Sequence, residues 1–276
     1  MMQKRFSMFN VRRKCSIAAV AVLLGGLANA HDFWIEPSSF TPAPGAQVDI
    51  RLREGMDFKG NTLPYIPEWF SDFSQTTSAG REAIESIPGD DPAAVLVARD
   101  NALLVGYRSN RAFVELPAEK FNSYLDEEGM EFIRKERIAK GEDADPAPEY
   151  FVRCAKTLLQ TGDPGASKVF GTVLGYTLEL TPLSNPYLQK VGDELTFQLE
   201  YRGKPAAGLL VQAFTADNPV DRQRIRTDSN GKAVVKLTRP GIWMIKAVNI
   251  QSIIGDPKGK WQSYWASYLF ELPNDD

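Results

Sequence analysis

The residue with the most chemistry to offer is His31, the one histidine in the chain. It follows Ala28-Asn29-Ala30 and opens the run His31-Asp32-Phe33-Trp34-Ile35-Glu36-Pro37. The small-x-small triplet is the pattern after which a signal peptidase cuts. A cut at that bond makes His31 the first mature residue, with an imidazole and a free α-amine on one side chain and its backbone. The amine and Nδ1 together close a six-membered chelate ring on a divalent metal, and Asp32 or Glu36 can add oxygen. Imidazole suits nickel, cobalt, copper and zinc, and carboxylates complete such spheres. Nitrogen ligands bind only when deprotonated, so this chelation strengthens as pH rises. The expected metal ligands are His31, Asp32 and Glu36, against the plain alternative of a frayed terminal residue.

The same inventory argues against catalysis. A copper monooxygenase that braces its metal with an N-terminal histidine needs a second histidine, and the sequence has none. A Ser-His-Asp arrangement would have to use the extreme terminus, and no nucleophile-elbow motif accompanies it. Carboxylates are plentiful, but no spacing sets two of them across a cleft. We read the chain as non-enzymatic. Beyond residue 30 it keeps one cysteine, Cys154, which excludes an internal disulfide and reads as a buried small hydrophobe.

The elements that must hold His31 begin with a leader. Lys4, Arg5, Arg12, Arg13 and Lys14 precede the apolar run from Cys15 to Leu27, which is too short to span a bilayer. Residues 1–30 thus read as a cleaved signal peptide, giving a periplasmic protein without membrane insertion. Arg12-Arg13 carries part of a twin-arginine signal, but Lys14-Cys15-Ser16 departs from it, so the export route stays open. Removing the leader leaves 27 basic against 35 acidic residues, which makes nucleic acid an unsuitable partner.

Val48, Ile50 and Leu52 alternate with charged residues, the period of a half-buried strand. Gly55 to Pro92 reads as long, partly ordered loops folded over apolar surface. Ala93–Ala98, Ala102–Ser109 and Ala112–Leu116 are strand candidates, with Asp100-Asn101 as a hairpin turn. Pro117 opens a helical pattern that Gly129 can divide, and Phe151, Cys154, Leu158 and Leu159 share the face of a further expected helix ended by Gly162. Arg108, Glu119, Lys120, Arg153 and Lys156 are candidates for ion pairs or for anion binding. From Thr172 onward short strands recur, with a hairpin signal at Asp228-Ser229-Asn230-Gly231. Trp261, Tyr264, Trp265 and Tyr268 belong to a core strand or to a glycan- or protein-binding surface. The fold class is mainly β with a helical insertion at about 117–162. Two β-sandwich-like domains are expected, 31–182 and 183–276.

Four stretches, "HDFWIEPSSFTPAPG", "YRSNRAFVELPAEKFNSYLDEEG", "YFVRCAKTLL" and "WQSYWASYLFEL", resemble a bacterial periplasmic family of unknown function. That family is often labelled a nickel-uptake protein or the periplasmic component of a cobalt or nickel transporter. The resemblance covers nearly the whole mature chain. It implies a β-rich N-terminal domain with a helical insertion, then an immunoglobulin-like or prealbumin-like sandwich. It also implies metal binding at His31, beside Trp34 and Glu36, and delivery to an inner-membrane transporter. Many relatives have a histidine near the end of the strand "WMIKAVNI", where this chain has Asn249, so a second imidazole is missing. The alternative is a non-catalytic module that presents loops or a sheet edge to an outer-membrane receptor, a transporter or a glycan.

Overall fold

The computed structural model describes residues 31–274, and the leader expected over 1–30 lies outside them. The first half forms β1 (Asp32–Pro37), β2 (Gln47–Met56), β3 (Lys59–Leu63), β4 (Phe70–Thr77), β5 (Gly80–Ala83), β6 (Ala94–Val97), β7 (Ala102–Ser109) and β8 (Ala112–Leu116). Helices α1 (Ala118–Glu127) and α2 (Glu131–Ala139) lead to the long strand β9 (Ala147–Gln160). The second half forms β10 (Leu178–Pro182), β11 (Glu194–Tyr201), β12 (Lys204–Pro205), β13 (Leu210–Thr215), β14 (Gln223–Arg226), β15 (Lys232–Lys236), β16 (Gly241–Ser252) and β17 (Trp261–Leu272).

The protein is mainly β, with open sheets stacked as a sandwich. A nine-stranded sheet in the order β14-β13-β16-β17-β9-β7-β4-β5, with β8 also on β9, forms the middle layer. Because side chains alternate along each strand, it offers two apolar faces. One face packs Leu104, Leu158, Trp243 and Tyr268 against Phe197 and Val235 of the sheet made by β10, β11, β12 and β15. The other face has two covers side by side. Ile35 and Ile50, from the sheet of β1, β2, β3 and β6, lie on Val105 and Leu159. Phe121, Leu125 and Ile133 of the helices lie on Val248 and Trp261. Between these covers runs a seam where charged side chains are buried.

The boundary expected at 182/183 falls between β10 and β11, which pair antiparallel with Leu180 opposite Leu199. The middle sheet also joins both halves, through the parallel pair β9–β17 from Glu149↔Trp261 to Thr157↔Leu269. Other expectations need correction. The segment read as a second helix is β9. Most of its second half is buried on both faces, so the polar alternation that marks a strand is erased and the apolar spacing mimics a helix. The helical insertion is therefore confined to 118–139. Gly55 to Pro92 holds β3, β4 and β5 rather than loops alone. The turns at Asp100-Asn101 and Asp228–Gly231 do form, but their flanking strands enter different sheets. Gly129 does divide the helices, at φ +69°.

Candidate functional site

β1 lies at the seam because both its sides are wanted in cores. Phe33 and Ile35 pack toward β7 and β9, while Trp34 packs with Phe214, Met244 and Leu269. The parity of a strand then sets His31 on the side of Phe33, and Asp32 and Glu36 on the opposite side. The structure does not bring the three expected ligands together. Glu36 Oε2 accepts from Trp34 Nε1 at 3.1 Å and pairs with Arg53 Nε at 3.3 Å. Asp32 is buried in an ion cluster. His31 meets a residue that sequence reasoning missed, Glu54 of β2, with Nδ1 3.4 Å from Oε1 and both side chains about a quarter exposed, 29% and 27%. The same Glu54 oxygen pairs with Arg153 Nη2 at 2.7 Å, and the Arg153 guanidinium sits 5.4 Å from the Phe33 ring centre. Beneath it, burial pushes the Tyr107 hydroxyl up to about 12, against the opposing pull of Arg153.

On the other side of β1, Lys246 of β16 reaches into the seam. Its Nζ donates to Asp32 Oδ1 at 2.5 Å and to Glu128 Oε1 at 2.8 Å. All three residues are under a tenth exposed. Burial raises the Asp32 carboxyl above its usual range, with the Lys246 charge pulling it back down. Burial alone would also weaken the hold of Lys246 on its proton. The two carboxylates outweigh that and keep the ammonium above its ordinary value. Gln212 Nε2 donates to Glu128 Oε2 at 2.9 Å, and Arg222 Nη1 donates to Gln212 Oε1 at 3.3 Å while also pairing with Asp57. Ser267 Oγ donates to the Phe33 carbonyl at 2.8 Å and ties β1 to β17. Phe33, Val248 and Trp265 wall a cavity of about 10 Å³ beside Asp32 and Lys246.

Farther along the seam, α1 covers Glu149 of β9. The carboxyl is buried and accepts from Ser263 Oγ, which in turn accepts from Trp265 Nε1 at 3.0 Å. Burial pushes Glu149 up to about 7, against the opposing hydrogen bond from Ser263. Glu149 Oε2 and Trp261 Nε1 have no hydrogen-bond partner among the described residues. Trp265 stacks on Tyr124, with ring centres 5.1 Å apart.

Of the remaining candidates, Lys156, Arg108, Trp261, Tyr268 and Cys154 are held within the fold. Lys156 pairs with Glu179 at 2.8 Å on the far face of the middle sheet and also donates to Thr181 Oγ1 at 3.0 Å. Glu179 accepts the backbone N–H groups of Leu174, Gly175 and Tyr176, so this buried pair is satisfied on both sides. Arg108 Nη2 donates to Thr177 Oγ1 at 3.3 Å. Trp261 and Tyr268 are core residues, and burial pushes the Cys154 thiol up to about 11. Among the described residues, no group of three or more His, Cys, Asp or Glu is placed to hold a metal ion. Lys246 carried one legible signal: it occupies a position of "WMIKAVNI" whose neighbours on the same face, Met244 and Val248, are apolar. Glu54 carried none, because its approach to His31 depends on the register Phe33↔Glu54.

A family model described as DUF4198, a domain of unknown function, matches residues 28–251. The chain belongs to the DUF4198 family. Curated proteins give no match. The DUF4198 match contains His31, Asp32, Glu54, Glu128, Glu149, Arg153 and Lys246, and ends inside β16. The β-rich sandwich described above is the fold of this DUF4198 chain. No helix among the described residues is long and apolar enough to cross a membrane.

Proposed function

We infer that this DUF4198 protein is a periplasmic, non-catalytic carrier of a divalent transition metal, nickel or cobalt with copper as a competitor, that binds at a mature N-terminal His31. The observation that supports it is the 3.4 Å approach of His31 Nδ1 to Glu54 Oε1 on a part-exposed surface. An ion there takes the imidazole and α-amine nitrogens of His31 and one carboxylate oxygen of Glu54. Glu54 replaces Asp32 and Glu36, which alternation along β1 sets on the side away from His31, where they meet Lys246 and Arg53. Three protein donors leave positions open on ions that want four or more. That suits a carrier which hands its cargo to a transporter.

The test is a calorimetric titration of Ni²⁺, Co²⁺ and Cu²⁺ into the processed protein, whose first residue is fixed by native mass spectrometry. His31→Ala should abolish specific binding. Glu54→Gln should weaken it by roughly tenfold, about 1.4 kcal/mol, and binding should tighten as pH rises through neutrality. Binding that survives His31→Ala unchanged, or a mature chain that begins elsewhere, sinks this reading.

A second reading, an interaction module, has its own support. β6 pairs with β2 alone, and Ala98 N donates to Ala46 O. By alternation, the backbone groups of Val95 and Val97 then point away from β2, along an open edge. That edge borders a cleft of about 480 Å³ lined by Gln75, Thr77, Glu82, Arg99 and Asp100. An extended receptor segment can add to such an edge through main-chain hydrogen bonds. Val97→Pro, which removes one donor, should abolish receptor capture and leave metal titration untouched.

A further inference from the structure

Asp32, Lys246 and Glu128 hold the components of a reaction that ion pairing does not use. We propose that Lys246 and Asp32 condense to an intramolecular amide, a covalent link between β1 and β16, with Glu128 as the proton carrier. Nζ stands 2.5 Å from Asp32 Oδ1 and 2.8 Å from Glu128 Oε1. The carbon bonded to Oδ1 therefore lies close to the separation of near-attack pairs, roughly 3–3.5 Å. Amine, carboxyl and general base are all held by packed strands and by the end of α1. Their orientation is set before any chemistry begins.

The step balances. Nζ gives one proton to the Asp32 carboxylate, attacks Cγ as the free amine and forms the C–N bond. Glu128 takes a proton from the nitrogen of the tetrahedral adduct and returns it to the departing hydroxyl. The Cγ–O bond breaks, one water leaves, and an uncharged amide replaces an ammonium and a carboxylate. No oxidant, reductant or cofactor is consumed.

Three observations favour this outcome over a lasting ion cluster. Gln212 holds Glu128 Oε2 at 2.9 Å, which turns Oε1 to Nζ. The cavity of about 10 Å³ beside Asp32 and Lys246 has room for about one water, so the leaving molecule has a place to go. Buried ions carry a desolvation penalty that a neutral amide does not, and Phe33, Val248 and Trp265 supply the apolar surroundings. The bond would tie residues 214 apart in the chain, where Cys154, the one cysteine among the described residues, cannot. The proposal does not rest on the metal reading, because His31 lies on the other side of β1.

The deciding experiment is the intact mass of the exported full-length protein, followed by a peptide map. The wild type should be lighter than its processed sequence by one water. The map should then contain a branched peptide joining the segments of Asp32 and Lys246. Lys246→Arg should restore the full sequence mass. Glu128→Gln, checked for folding by circular dichroism, should slow the condensation by about 100-fold or more, as loss of a general base does. A wild-type chain at its full sequence mass overturns the proposal whatever the variants do. So does a water loss that persists in Lys246→Arg.

Discussion

Glu149 and Lys156 show how differently two buried charges can be treated in one sheet. Lys156 and Glu179 satisfy each other and the backbone around them, so either half is costly to remove alone. Lys156→Ala should cost about 3–5 kcal/mol in urea unfolding, as removal of one partner of a buried pair does. Glu149 instead faces the hydroxyls of Ser263 and Tyr124 from β17 and α1, with Glu128 also near Tyr124. Its folded value near 7 lies above the ordinary 4.5, so the folded state binds the extra proton between those limits. Its contribution is present in full below about pH 4.5 and is lost as pH rises through 7. The change is roughly 3 kcal/mol. Thermal unfolding followed from pH 5 to 8 should show this fall, and Glu149→Gln should flatten it. None of this was legible in the sequence, where Glu149 is one acid among 35 and its desolvation comes from α1 folding over it.

At the level of elements, the helical pair depends on one backbone position. Gly129 adopts φ +69°, and a Cβ there would meet Leu210 Cβ and Arg226 Nη2 at 2.9 Å. Gly129→Ala should destabilise the protein by more than about 1 kcal/mol. Faster amide exchange in α1 and α2 than in β16 would check that the damage is local. The sequence showed this break because glycine between two amphipathic runs has few other uses. It also showed β2, where Val48, Ile50 and Leu52 alternate with charged residues because one-sided burial preserves the pattern. It hid β9, because a strand covered on both faces loses the polar half of its pattern. It hid the partners of β6 and β14 as well, since a turn motif fixes a reversal of the chain and not the sheet that each arm joins. The site proposed at His31 was half legible on the same grounds: its nitrogen came from a local motif, and the nearby Glu54 oxygen from strand register.

Across the whole molecule, the two halves complete one sheet. Cutting at 182/183 would strip β9 of β17 and leave a long, apolar, unpaired edge, the kind that drives aggregation. Residues 31–182 expressed alone should therefore be insoluble or partly folded, while the full chain should unfold in one cooperative transition by calorimetry. Two separate transitions would show that the halves are independent.

The place of β17 between β16 and β9 also constrains when this protein can finish folding. The last of the described strands fills the middle of the largest layer. Until β17 has been made, β9 waits beside an empty slot, more than a hundred positions away from the segment that will occupy it. Contacts this distant in the chain close slowly. Delayed closure of this kind makes β17 the keystone of the sheet, and a chain cut short of it would be left without its middle.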